Sequence, residues 1–225
     1  MNPSNAQPAK GLDPKLGGYH GAGRFPADPT RLYLIRHGEL LKAKPKSYHG
    51  QTDVALAANG VAQLERVADR LAAVPLKAVY ASTLRRSAQG AEQVATRHGL
   101  PVVTNPAFRE KAFGVWEGLT YDEVAERYPD DWARWLADPP SLKPEGGETY
   151  LEMQSRVLRA LGEILAAHPA QEIALVAHGG VNRAIICHAL RLDLKYVFRI
   201  EQDHGAVNII DFFPDGMAVV KLING

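Results

Sequence analysis

Apolar positions along this chain fall into two kinds of run. Short, mainly apolar stretches at Arg31–Ile35 (RLYLI), Ala78–Ala81 and Ile173–Ala177 (IALVA) predict buried strands, with Val102–Thr104 as a further short one. Longer stretches carry apolar residues at helical spacing. In Leu56–Val74, Val61, Leu64, Val67, Ala68 and Leu71 share one face. Leu84–His98 is a second helix, ended by Gly99 and Pro101, and Glu148–His168 a long one stopped by Pro169. Val181–Leu190 follows as another helix. Val207–Phe213 and Met217–Leu222 flank Pro214-Asp215-Gly216, which reads as a hairpin.

Residues 105–147 break this rhythm. The stretch is rich in Pro and Gly, with short helical pieces at Tyr121–Tyr128 and Asp131–Ala137, and is expected to form an excursion covering one end of a sheet. Strands alternating with helices predict an α/β three-layer sandwich: a mostly parallel sheet, helices on both faces, and an antiparallel edge strand. Residues 1–29, rich in Pro, Gly, Ala and Asn, are expected to be a flexible extension preceding one domain over 30–225.

Composition narrows the partners. Lys and Arg total 26 against 25 Asp and Glu, so nothing in the overall charge points to nucleic acid or an acidic membrane. Attraction for an anion must be local. The single cysteine, Cys187, excludes an intramolecular disulfide and multi-cysteine zinc patterns, and its apolar surroundings predict a buried structural thiol. No apolar stretch reaches the roughly 20 residues that cross a bilayer, and no apolar signal core opens the chain, so the expected location is the cytoplasm.

Candidate chemistry sits where the topology puts it. In open α/β sheets ligands bind beyond the carboxyl ends of the strands. Arg36-His37-Gly38 follows the first strand, Ser82–Arg86 the second, and His178-Gly179-Gly180 the strand at 173–177. A guanidinium beside His37 suits an anion, and the arginines at 85 and 86 open a helix, where free N–H groups and the dipole favour one. Each piece alone has an ordinary reading: a solvated arginine, or a buried hydrogen-bonded histidine at 178.

Taken together, the blocks resemble the histidine phosphatase superfamily, which includes the cofactor-dependent phosphoglycerate mutases. Leu34–Glu39 (LIRHGE) is similar to its signature. Tyr80–Glu92 resembles the block whose second arginine binds phosphate, which selects Arg86 over Arg85. Phe108-Arg109-Glu110 with Phe113–Gly118 resembles the block carrying the proton donor, Glu110, and Val176–Gly180 the block supplying a second pocket histidine, His178. The resemblance spans about residues 31–222. It implies that His37 is the nucleophile, that Arg36, Arg86 and His178 surround the phosphoryl oxygens, and that Glu110 serves as acid and then base, with no metal and no cofactor.

Two departures bear on the substrate. Many relatives carry an asparagine a few residues after the nucleophile, where this chain has Leu40-Leu41-Lys42-Ala43-Lys44; Lys42, Lys44 or Gln51 are the substitutes on offer, with Gln51 expected to line the pocket. The loop His49–Asp53 and the segment Gln202–Ile210 resemble small phosphatases of the α-ribazole phosphatase type. The excursion is compact beside that of the glycolytic mutases, which suits hydrolysis. The expected function is therefore hydrolysis of a small phosphorylated metabolite, with α-ribazole 5'-phosphate the best single candidate. Phosphoglycerate mutase is the alternative, and an inactive phosphate-binding regulatory protein the alternative of another class. A homodimer through the edge hairpin or long helix is compatible with the pattern. His49 and His204 are candidates for the pocket rim, while Trp116, Trp132 and Trp135 are expected to pack in the core or cover.

Overall fold

The computed structural model describes residues 28–41 and 46–225, so most of the expected extension, and Lys42 and Lys44, lie outside the described residues. Six strands form one sheet: β1 (Thr30–Arg36), β2 (Leu76–Ala81), β3 (Val102–Thr104), β4 (Glu172–Ala177), β5 (Val207–Phe212) and β6 (Ala218–Leu222), in the spatial order β3-β2-β4-β1-β5-β6. The first four are parallel. β5 runs antiparallel to β1, and β6 pairs antiparallel with β5 at the edge. The expected α/β sandwich is the fold observed.

Strand alternation explains the layers. Leu32, Leu34, Ile173 and Leu175 point to one face, where they pack with Met153, Val157 and Leu161 of α5 (Tyr150–Ala167) and Val181 and Ile185 of α6 (Gly179–Ala189). Tyr33, Ile35, Ala174 and Val176 point to the other, against Leu64, Val67 and Leu71 of α1 (Ala58–Leu71) and Ala91 and Val94 of α2 (Arg85–His98). Because helices cover both faces, the central strands read as continuous apolar runs. Arg31 and Asp211 face each other across β1 and β5 and form a bidentate pair at 2.6 and 2.8 Å.

The excursion contains short 3₁₀ turns at Pro106–Phe108 and Gly114–Trp116, then α3 (Tyr121–Arg127) and α4 (Pro129–Ala137). α4 starts two residues before the expected Asp131, because proline tolerates the first helical position, where its missing N–H has no intrahelical acceptor. α6 begins at Gly179, not Val181, so both glycines belong to its first turn. Leu194–Arg199, left without an element by its sequence pattern, is a 3₁₀ helix led by Asp193, whose carboxylate accepts from the N–H of Lys195.

Candidate active site

The pairing of β1 with β4 brings two distant histidines together. Arg36 stands in register with Ala177, and the N–H of His37 donates to the carbonyl of Ala177. The residues leaving the two strands, His37 and His178, therefore emerge side by side, with ring centroids 5.2 Å apart. His37 is buried, and its Nδ1 lies 2.8 Å from the carbonyl oxygen of Gly38. A carbonyl can only accept, so Nδ1 carries the proton and the Nε2 lone pair is free. Burial, followed by His178, Arg36 and Arg86, pushes the His37 pKa well below its ordinary value, so the ring is neutral at physiological pH.

Two guanidinium groups are fixed by backbone carbonyls. Arg36 donates through Nη1 to Gln202 and lies 3.2 Å through Nη2 from His204 Nε2. Arg86, in the first turn of α2, donates to the carbonyls of Thr52 and Gly50 at 2.8 and 2.6 Å. Both arginines keep a buried Nε with no partner among the described residues. Burial lowers the pKa of each, since the charged form loses hydration, and an anion bound between them would offset that loss. Arg85 instead points outward to Asp53, at 3.2 Å and with both side chains exposed.

Glu110 closes this cluster from the excursion. One carboxylate oxygen accepts from the N–H of Gly180 at 2.9 Å, in the first turn of α6, and the other from the N–H of Lys111 at 2.8 Å. A Cβ on Gly180 would stand 2.3 Å from Glu110 Oε1, so any larger residue here would displace the carboxylate from its place.

These groups open into a cavity of about 780 Å³. Arg36, His37, Arg86, Glu110 and His204 contribute polar groups to its lining, while Tyr48, Phe113, Tyr121, Trp132 and Trp135 contribute aromatic rings that pack on one another as a wall. His178 is fully buried beside His37 and is not part of the cavity lining; neither of its ring nitrogens has a partner among the described residues. Burial and the arginines hold it well below the ordinary histidine pKa. His204, driven down to about 4 chiefly by burial, and His49 both reach the cavity, as the rim reading expected. Gln51 does not line it. Its side-chain amide donates to the carbonyl of Glu110 at 3.2 Å, and its N–H is taken by Glu117 Oε1. Trp116 is core, but Trp132 and Trp135 face the cavity.

Several groups at the site escaped the sequence reading. Arg183, one turn into α6, lines the cavity with Nε held by the carbonyl of Ile200 at 2.7 Å. Lys111 is fully buried, and its ammonium has no hydrogen-bond partner among the described residues; it sits instead 4.6 Å from the Phe113 ring centroid, and burial lowers its pKa to about 8. Glu117 gathers the N–H groups of Gln51, Thr52 and Phe113 and so shapes the loop that holds Arg86. Only the FGVWEG block pointed to Glu117, and helical spacing made Arg183 indistinguishable from a surface arginine.

The chain is similar to known proteins in sequence and in fold. The family described as the histidine phosphatase superfamily (branch 1) matches residues 32–225. A bifunctional protein of Mycobacterium tuberculosis is 32% identical over 98% of this chain, and the chain spans 61% of that relative's length. Phosphoserine phosphatase 1 of Hydrogenobacter thermophilus is 29% identical, covering 86% of this chain and 92% of its own. Among solved structures, the alpha-ribazole phosphatase from Shigella flexneri superposes with a TM-score of 0.79 at 27% identity, covering 87% of this chain and 96% of its own.

Proposed function

Because the chain belongs to the histidine phosphatase superfamily, we propose that it hydrolyses a small phosphorylated metabolite through a phosphohistidine on His37. The observation that carries this reading is the free Nε2 lone pair of a neutral, buried His37 flanked by two cations that lack full hydrogen-bonding partners.

In the first step the Nε2 lone pair attacks phosphorus in line, the N–P bond forms, and the bond from phosphorus to the leaving oxygen breaks. Glu110 passes its proton to that oxygen. Arg36 and Arg86 stabilise the charge on the equatorial oxygens, and His178 backs the nucleophile on its buried side. In the second step the Glu110 carboxylate takes a proton from water, whose oxygen attacks phosphorus. The N–P bond breaks, phosphate leaves and His37 is restored. The positive charge the reaction needs is assigned to side chains, without a metal.

The cavity is far larger than a phosphate requires, and its aromatic wall suits a leaving group with a ring face. The Shigella relative is named an alpha-ribazole phosphatase, and α-ribazole 5'-phosphate, whose base offers such a ring face, is the first candidate to assay. No helix among the described residues is long and apolar enough to cross a membrane.

A panel of phosphomonoesters assayed in EDTA, with wild type and His37→Ala, tests the proposal. Wild type should release phosphate and form an acid-labile phosphoprotein, and His37→Ala should do neither. Turnover retained by His37→Ala ends the mechanism. Conversion of 3-phosphoglycerate to its 2-isomer without release of phosphate would assign the chain to mutase chemistry instead.

A further inference from the structure

We propose that Arg156 and Glu148, neither of which reaches the cavity, form a clamp that aims Glu110 and are positioning residues for its proton transfer. The proposal rests on the reading of Glu110 as acid and base given above.

Residues 109–113 have no regular secondary structure, so their backbone groups need partners from elsewhere. One guanidinium supplies most of them. Arg156, in the second turn of α5, donates through Nη1 to the carbonyls of Ala107 and Arg109 at 2.6 and 2.8 Å, and through Nη2 to that of Glu110 at 3.0 Å. Glu148, just before α5, grips the same guanidinium in a fork at 3.0 and 2.6 Å, and its Oε1 also accepts from the N–H of Ala112 at 2.8 Å. Both side chains are mostly buried, at 24% and 16% exposed, so solvent screens the pair little.

The geometry explains why this matters for one side chain. The carbonyl of Arg109 lies in the peptide plane before the Glu110 Cα, and the carbonyl of Glu110 in the plane after it. Fixing both planes fixes φ and ψ of Glu110, and with them the direction in which its Cβ leaves the backbone. Gln51 adds a second donor to the Glu110 carbonyl, and the N–H groups of Gly180 and Lys111 fix the far end. Positioned from both ends, the carboxyl reaches the leaving oxygen without a search, and misplacement by about 1 Å can cost on the order of 100-fold in rate.

Leaving-group dependence separates positioning from general support of the fold. A poor leaving group such as phenoxide needs the proton, whereas 2,4-dinitrophenoxide departs without it. In Arg156→Met, kcat/KM for phenyl phosphate should fall by about 10- to 100-fold, while that for 2,4-dinitrophenyl phosphate falls by less than about threefold. Glu148→Gln, which keeps its volume and its bond to Ala112, should show the same selectivity with a smaller loss, and it decides the matter if Arg156→Met does not fold. Equal losses for both substrates, or none, would overturn the clamp. Glu110→Gln serves as the reference. If it does not itself steepen the leaving-group dependence, the acid assignment fails; if it does and the clamp variants do not, only this inference falls.

Discussion

At the scale of single residues, the histidines carry the sharpest expectations. The folded-state pKa of His37 is held below its usual value by burial and neighbouring cations. An ordinary imidazole of pKa about 6.5 would lose its neutral form roughly tenfold between pH 7.5 and 5.5; kcat/KM should fall by clearly less than that, and a full tenfold loss would show that His37 titrates normally. Stability also falls on acidification, and for a related reason. The unfolded histidines bind protons that His37, His178 and His204 refuse when folded, so stability rises with pH up to about 6.5 and declines on acidification, and a denaturant midpoint measured at pH 5 and pH 7 should show it. Gly180→Ala sets helix propensity against chemistry. Alanine is favoured over glycine by at most about 1 kcal/mol in a helix, and by less in the first turn, where Gly180 sits; its Cβ would collide with Glu110 Oε1. Activity should drop by on the order of 100-fold with the melting temperature little lowered. That His37, Arg36, Arg86 and Glu110 meet at one end of the sheet, with His178 beside His37, was legible in the sequence because each sits at a strand end or in a recognisable block. Gln51 was misplaced because its partner, the carbonyl of Glu110, lies 59 residues away and leaves no local trace.

At the scale of elements, the strands were legible because burial on both faces makes them continuous apolar runs, and the long helices because one face meets the sheet. The 3₁₀ segment at Leu194–Arg199 was not, since it is too short for a period and owes its place to contacts with α6. α5 carries Arg156, the guanidinium of the proposed clamp. Its start is set by a reciprocal cap: the Thr149 hydroxyl accepts from the N–H of Glu152, whose carboxylate accepts from the N–H of Thr149. Thr149→Ala should cost about 1 kcal/mol in chemical denaturation. It should also loosen Glu148, the neighbouring residue, so activity toward poor leaving groups should decline alongside. An unchanged denaturation midpoint would show that tertiary packing alone defines the helix start.

At the scale of the whole molecule, a formal charge of +1 leaves little long-range field, so anion binding must come from the cluster around Arg36 and Arg86. Inorganic phosphate should therefore stabilise the protein by mass action, by about 2.7 kcal/mol at a concentration 100 times its Kd. Replacing Arg86 by alanine should abolish most of that shift in a thermal melt, whereas replacing the exposed Arg85 should leave it. The pairing of β1 with β4 has one more consequence, and it concerns time. The adjoining central strands are separated by more than half the chain, and His37 meets His178 only once both are in place. Closing so long a loop is entropically slow. On the ribosome, the segment bearing the nucleophile emerges first and must wait, unpaired, until β4 is synthesised. Catalytic competence thus arrives late, and an assay of activity during refolding would report completion of the central sheet rather than the appearance of helices.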